Sequence, residues 1–168
     1  ISLERLNKIR EINPTDQSVT VEAGLILSDL QKKCEENNLI FPLSLASEGS
    51  CSLGGNIASN AGGVAVLYYG NTRELVMGLE VVLSDGSIIN NLKTLIKDNT
   101  GYSIKDLFIG SEGTLGVITA ATLKVFPKPK NMYTALLSVD SPKQSIEILN
   151  YIRNCLLYTS PSPRDSMT

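Results

Sequence analysis

The sequence predicts an α+β fold in which a mixed or antiparallel sheet is flanked by helices. Three observations predict it. Asp85 and Gly86 separate two β-branched runs, an arrangement typical of a two-residue β-hairpin turn. Residues 117–126 are rich in β-branched side chains and are closed by Pro127, which predicts one long strand. A helical spacing of apolar residues follows Ser28, which predicts a helix.

The first half of the chain supplies the first strand and this helix. Residues 18–23 alternate β-branched and polar side chains before Gly24, which predicts a strand followed by a turn. Ser28 is predicted to cap the helix, which continues to about Asn37. Its apolar face carries Leu27, Leu30 and Cys34.

The second half supplies the remaining elements. Ser141 and Pro142 predict the start of a last helix. Its apolar face carries Ile148, Ile152 and Cys155. The other predicted elements are strands over 79–84, 87–90 and 133–139 and a short helix over 103–107.

The stretch 49–63 is the strongest candidate for a binding site. It holds glycines at 49, 54, 55, 62 and 63 and contains no Lys, Arg, Asp or Glu. Glycine permits positive φ and close approach to the main chain, so the stretch suits a phosphate held by backbone N–H groups. We expect a helix over 55–61 with free N–H groups at its start. The alternative is a glycine-rich connector.

Two common phosphate loops are excluded for this stretch. Gly49 and Gly54 have the spacing of a Walker A loop, but Gly55 and Asn56 follow where Lys and Ser or Thr are required. The sequence also contains no G-x-G-x-x-G, so a Rossmann turn is unsupported.

A second glycine cluster makes the pattern specific. It reads Gly-Ser-Glu-Gly-Thr-Leu-Gly over 110–116, directly before a β-branched run. Together the two clusters resemble the FAD-binding domain of the vanillyl-alcohol oxidase and p-cresol methylhydroxylase superfamily, over roughly residues 19–130. The Lys-Asp-Asn-Thr-Gly-Tyr run at 97–102 is most similar to the D-2-hydroxyglutarate and D-lactate dehydrogenase branch. The resemblance implies a PCMH-type fold and FAD as cofactor.

The resemblance also implies which residues lie against the FAD. They are Gly54, Gly55, Asn56, Ser59, Gly62, Gly63, Glu112, Gly113, Gly116, Val117 and Ile118. The glycine-rich pattern itself adds Gly49, Ser52 and Asn60 to the candidate site, and the turn that follows it adds Tyr69 and Gly70. Gly55 is expected to need a positive φ. Glu112 would accept from a ribose hydroxyl, or is simply a surface carboxylate. Tyr69 would lie near the cofactor, or packs on the sheet.

For the chemistry, the resemblance implies a D-2-hydroxy acid substrate and a separate electron acceptor. Oxidation needs a base and a cation for the carboxylate, yet the sequence contains no histidine. No catalytic or metal-binding residue is assigned. An upstream glycine-rich loop and a downstream substrate domain are expected to lie outside these 168 residues, so the chain alone should neither retain FAD nor turn over a 2-hydroxy acid. The alternatives are a non-catalytic nucleotide-binding module and a peptidoglycan-precursor reductase of the same fold.

The remaining expectations concern organisation and surroundings. The FAD-binding domain is predicted over 1–140, the start of a following domain over 141–157, and a disordered or foreign tail over 158–168. A net charge of −2 argues against a nucleic-acid partner. No apolar run approaches 18 residues, so no transmembrane segment is expected. The three cysteines suit a reducing compartment, either the cytoplasm or the mitochondrial matrix.

Overall fold

The computed structural model describes residues 1–95, 97–131 and 133–156, with side chains described as far as Ile152. The predicted tail at 158–168 and the side chain of Cys155 lie outside the described residues. The elements are, in chain order, β1 (Ile9–Asn13), β2 (Ser18–Glu22), α1 (Leu27–Glu36), β3 (Leu39–Ile40), α2 (Leu53–Ala58), α3 (Val66–Tyr69), α4 (Thr72–Leu75), β4 (Val76–Val82), β5 (Ile88–Asn91), α5 (Lys105–Phe108), β6 (Val117–Lys124), β7 (Phe126–Pro127) and α6 (Pro142–Leu156).

The chain forms two compact units, Ile1–Pro129 and Lys130–Thr168. The division falls earlier than residue 140, where the sequence places the end of the first domain. Whether the second unit begins a separate functional domain stays a prediction.

The first unit is built on a five-stranded antiparallel sheet with strand order β1-β2-β6-β4-β5. The central strand β6 pairs with β2 on one side and with β4 on the other. A second, two-stranded antiparallel sheet joins β3 to β7. The α+β prediction is therefore confirmed, and both sheets are antiparallel.

The apolar core is one cluster of buried side chains from the sheet, α1 and α2. Leu27, Leu30 and Cys34 of α1 are fully buried, as the helical spacing predicts. They pack in one cluster with β2 and β6 side chains such as Val21 and Leu123. Burial raises the pKa of the Cys34 thiol to about 11, which keeps the thiol neutral and inert.

The start of α1 differs from the prediction. Its N-cap is Ile26, which has no side-chain cap, whereas Ser28 lies inside the first turn. Backbone carbonyls take the place of the cap, since Leu27 N–H donates to Cys51 O (3.1 Å) and Ser28 N–H donates to Glu48 O (2.9 Å). These bonds attach the beginning of the glycine-rich stretch to the core helix.

The hairpin between β4 and β5 is present with a longer loop than predicted. Leu83 N–H donates to Ser87 O (2.9 Å), and Gly86 N–H donates back to Leu83 O (3.0 Å). Three residues therefore lie in the loop, and Gly86 takes the left-handed φ of +85° that this turn requires.

Two strand predictions are wrong in part or in whole. The run 117–126 is not one strand, because β6 ends at Lys124 and Phe126 moves to the second sheet to pair with Ile40. Residues 133–139 form no strand among the residues described. Apolar content alone does not make a strand, since the backbone also needs a paired neighbour.

In the second unit, α6 begins at Pro142 as predicted. Ser141 Oγ accepts from Gln144 N–H (3.3 Å), and Gln144 Oε1 accepts from Asp140 N–H (2.8 Å), which is a reciprocal capping arrangement. The apolar face of α6 borders a cavity of about 200 Å³ within this unit. Leu137, Ile148 and Ile152 form part of its lining.

Candidate cofactor-binding site

The glycine-rich stretch 49–63 folds around α2, which starts earlier than predicted. Ser52 is its N-cap, and Ser52 Oγ accepts from Gly55 N–H (3.4 Å). Leu53 N–H donates to Leu25 O (2.9 Å) and Gly54 N–H donates to Ala23 O (2.7 Å). The expectation of free N–H groups at the start of this helix is therefore wrong, because neighbouring carbonyls already occupy them.

At most glycine positions of the chain, the structure itself explains why a side chain would be disfavoured. Six adopt a positive φ: Gly63, Gly70, Gly86, Gly101, Gly110 and Gly113. At four others a Cβ would meet backbone or core atoms: Gly24, Gly54, Gly78 and Gly116. The remaining three of the thirteen are Gly49, Gly55 and Gly62, and all three belong to the stretch 49–63.

Gly54 and Gly55 show the contrast at adjacent positions. A Cβ on Gly54 would lie 2.8 Å from Ala23 Cβ, so this glycine serves internal packing. A Cβ on Gly55 would have one neighbour within 4 Å, Ser52 Oγ at 3.3 Å, and Gly55 is exposed. Gly55 has no positive φ, which corrects that expectation. Gly62 and Gly49 have nothing within 4 Å.

The polar side chains of the stretch make internal contacts. Asn56 is 5% exposed, and its Nδ2 donates to Cys51 Sγ (3.4 Å). Ser59 Oγ donates to Gly55 O (2.9 Å). By contrast, the N–H groups of Gly62 and Gly63 have no acceptor within the described part of the chain. The N–H groups of Gly62 and Gly63, at the end of the stretch, are thus available to a ligand, as are those of Gly49 and Ser52 nearer its start.

The second glycine cluster lies directly beside this end of α2. Gly110 N–H donates to Ile57 O (3.1 Å), and Glu112 N–H donates to Ala58 O (2.9 Å). Three of the four residues 110–113 have positive φ, at 81° for Gly110, 52° for Glu112 and 78° for Gly113. The two glycine segments are therefore adjacent, as a shared groove requires.

Two side chains of the second cluster bear on ligand binding. Glu112 is exposed and holds a left-handed φ that is uncommon for a residue with a side chain. Ser111 Oγ is buried without a hydrogen-bond partner among the described residues. Buried hydroxyls are normally satisfied, so this oxygen is a candidate for contact with a bound molecule.

The start of β6 completes this side of the site. Val117 and Ile118 pair with Val82 and Val81 of β4, whereas the ladder to β2 begins only at Ala120. One backbone side of Val117 and Ile118 thus has no strand partner among the described residues. Gly116 lies against Val81, where a Cβ would come within 2.7 Å of the Val81 side chain.

Tyr69 and Gly70 are explained by packing. The Tyr69 ring lies 4.7 Å from the Phe126 ring and 4.6 Å from that of Tyr68, centroid to centroid. Burial raises the pKa of the Tyr69 hydroxyl. Gly70 has a φ of +79°, and a Cβ there would meet Glu74. These contacts support the packing alternative for Tyr69 and leave its role toward a cofactor untested.

Arg73 is a residue that the sequence reasoning missed. It lies in α4, whose N-cap Asn71 forms a capping box with Glu74. The sequence signal for this helix was available, since Asn71 and Glu74 have the spacing of a capping box. The capping box predicts the helix but not the contacts of the Arg73 guanidinium, which donates hydrogen bonds to the carbonyls of Asp106 and Ile109.

A cavity of about 370 Å³ lies beside Arg73 and away from the three open glycines. Its charged lining is largely paired: Lys93 with Asp98 (2.6 Å) and Lys105 with Asp106 (3.2 Å). The hydrogen bond from Lys93 lowers the pKa of Asp98 to about 2. Burial opposes ionisation of Asp106, but hydrogen bonds from Ser103, Lys105 and Arg73 outweigh it and lower that pKa.

No cluster of three or more potential metal ligands occurs among the described residues. The helices of the described part are also too short or too polar to cross a membrane.

The fold and the paired glycine segments define a cofactor-binding domain, and comparison with known proteins identifies its class. Residues 1–91 match the model of the family described as FAD binding domain, and the chain belongs to this family. The resemblance predicted from the glycine clusters is confirmed, as is FAD as the cofactor.

Two relatives and one solved structure place the chain more closely. It is 46% identical over 156 residues to a mitochondrial D-2-hydroxyglutarate dehydrogenase of Danio rerio, covering 93% of this chain and 29% of that protein. It is 45% identical over 141 residues to a D-2-hydroxyglutarate dehydrogenase of Xanthomonas citri pv. viticola, covering 84% of this chain and 30% of that protein. A structure of alkyldihydroxyacetonephosphate synthase shares the fold, with a TM-score of 0.67 and 24% identity over 76% of this chain and 23% of that one. The chain thus spans less than a third of these proteins.

Proposed function

We propose that this chain is the FAD-binding portion of a flavin-dependent dehydrogenase. Its substrate would be a D-2-hydroxy acid, with D-2-hydroxyglutarate as the first candidate. The products would be the 2-oxo acid and an electron pair passed to a separate acceptor. Membership of the FAD-binding family and the names of the two relatives support this proposal.

One observation from the structure carries the cofactor part. Gly49, Gly55 and Gly62 have neither a positive φ nor a close backbone or core contact that would exclude a side chain. Glycine at such positions is explained when a second molecule must approach the main chain. Gly55 lies within α2 and Gly62 follows the end of this helix, to which the second glycine segment is hydrogen-bonded.

The residues present fit FAD in three respects. The N–H groups of Gly62 and Gly63 suit a pyrophosphate, because oriented backbone amides bind anions without a lysine. The exposed Glu112 carboxylate suits a ribose hydroxyl, and the unpaired backbone side of Val117 and Ile118 suits an adenine edge. Ser111 Oγ offers one further donor or acceptor. The roles of the other predicted residues remain part of the proposal.

The chain's own contribution is to hold and orient the cofactor. FAD, when bound, supplies the acceptor for the hydride that leaves C2 of the substrate. The hydroxyl proton needs a base and the substrate carboxylate needs a cation, and we assign neither to these residues. We assign both to the larger part of the protein that the chain does not span.

We further propose that the location follows the source of the protein. A eukaryotic protein would lie in the mitochondrial matrix, as the name of the Danio rerio relative suggests, and a bacterial one in the cytoplasm.

The test uses the full-length protein. We expect it to be purified yellow, with flavin absorbance, and the flavin to bleach on anaerobic addition of D-2-hydroxyglutarate. L-2-hydroxyglutarate is the matched control and should not bleach it. Bleaching by D-lactate and not by D-2-hydroxyglutarate would make D-lactate the substrate, which is still a D-2-hydroxy acid. A protein that binds FAD but is bleached by no 2-hydroxy acid, or one that holds no flavin, would contradict the proposal.

A further inference from the structure

Arg73 connects the two glycine segments. Its backbone N–H donates to Asn60 Oδ1 (2.9 Å), at the end of the first segment. Its guanidinium donates through Nη2 to Ile109 O (2.6 Å), directly before the second segment. Nη1 donates to Asp106 O (2.8 Å) and Asp106 Oδ1 (3.2 Å). We call Asn60, Arg73, Asp106 and Ile109 the Arg73 cluster.

Two of the three partners of Arg73 lie at or next to a residue with a left-handed φ. Asn60 has a φ of +50°, and Gly110, next to Ile109, has a φ of +81°. A Cβ on Gly110 would lie 3.5 Å from both Arg73 Nη2 and Asn60 Cβ, so the two segments are in close contact at this point. Left-handed conformations persist where surrounding bonds fix them, and the Arg73 cluster supplies such bonds on both segments.

The geometry is specific to arginine. A planar guanidinium presents several donors in a fixed fork and can bond Asp106 and Ile109 together, whereas a lysine ammonium is a single point donor on a flexible chain. The side chain of Arg73 is 35% exposed, so its contacts are partly shielded from water.

We propose that Arg73 is a positioning residue that holds the segments 60–63 and 110–113 at the separation that FAD needs. This inference rests on the proposed function. Arg73 would act without touching the cofactor, since its backbone N–H bonds Asn60 and its guanidinium fixes the carbonyl of Ile109. The amides of Gly110 and Glu112 then stay bonded to Ile57 O and Ala58 O. The variants at Arg73 change only the guanidinium contacts.

The test compares Arg73→Ala, Arg73→Lys and Asn60→Gly in the full-length protein. Arg73→Ala is expected to weaken FAD binding by about ten- to a hundredfold, since it removes charge-assisted bonds to both Asp106 and Ile109. Arg73→Lys should fall between this variant and the wild type. Asn60→Gly keeps the positive φ and removes only the acceptor, so a smaller loss is expected. Lys124→Ala, at a cavity-lining residue outside the cluster, is the control and should bind FAD normally.

A second readout separates positioning from general destabilisation. In protein stripped of flavin, Arg73→Ala should speed hydrogen exchange at the amides of Gly110 and Glu112 and leave exchange in β2 and β6 unchanged. If Arg73→Ala fails to fold, Asn60→Gly is compared with the wild type by the same two measurements, FAD affinity and hydrogen exchange. If the wild type binds FAD and the variants match it in both FAD affinity and hydrogen exchange, the role of Arg73 is overturned and the proposed function is not. Wild-type protein that binds no FAD would overturn the proposed function with it.

Discussion

Gly55→Val in the full-length protein is expected to abolish FAD retention and to leave the fold intact. The position faces open space, with Ser52 Oγ its one near neighbour, so a side chain there meets little of the protein itself. Valine is at least as good a helix former as glycine, so α2 should persist. A branched side chain in the space of the pyrophosphate should weaken FAD binding by at least about a hundredfold, or roughly 3 kcal/mol.

The measurement is flavin absorbance of the purified variant together with its thermal unfolding. Gly54→Ala is the adjacent contrast, because its Cβ would press on Ala23 Cβ and Ala23 O. That variant should lose stability whether or not FAD is present. Normal flavin content in Gly55→Val would mean that the stretch 49–63 is only a connector.

The second large effect is expected from Gly78→Ala, which should strongly destabilise the fold. Gly78 lies in the buried strand β4, and the chain after β5 crosses directly above it. A Cβ there would overlap Asn91 O and lie 2.6 Å from Lys93 N and 3.1 Å from Leu92 Cα. These are backbone atoms that cannot rotate away, so we expect a loss of about 2–3 kcal/mol in the free energy of unfolding.

Denaturant unfolding of the full-length protein, stripped of flavin so that cofactor binding does not contribute, measures this loss. Gly49→Ala is the control for stability, since it has an ordinary φ and nothing within 4 Å, and should change the free energy of unfolding by less than about 0.5 kcal/mol. Equal free energies of unfolding for the two variants would show that the backbone of residues 91–93 does not need to lie in contact with Gly78.

The sequence predicts the elements whose cause is local. The alternation in β2, the apolar face of α1 and the turn residues Asp85 and Gly86 all act within a few residues, and the structure confirms each element. Where the cause is a distant partner, prediction fails. The run 133–139 has strand-like composition but no paired neighbour among the described residues, and Ser28 loses its cap role to carbonyls from 48 and 51.

The candidate site shows the same limit. Sequence marks Gly54 and Gly55 alike, but only the packing of Ala23 shows that the first is structural and the second faces outward. The N–H groups at the start of α2 are bonded to residues about thirty positions earlier, which no local pattern reveals. Arg73 was missed for the same reason, because its partners Asn60, Asp106 and Ile109 are remote in sequence.

Segments 60–63 and 110–113 are proposed to bind FAD. The most direct measurement is hydrogen exchange of the full-length protein, stripped of flavin, before and after addition of FAD. We predict protection at the amides of Gly62 and Gly63, which lack acceptors within the described chain, and at residues 111–113 and 117–118. Exchange at these amides that is unchanged at saturating FAD, with protection confined to other parts of the protein, would contradict the account.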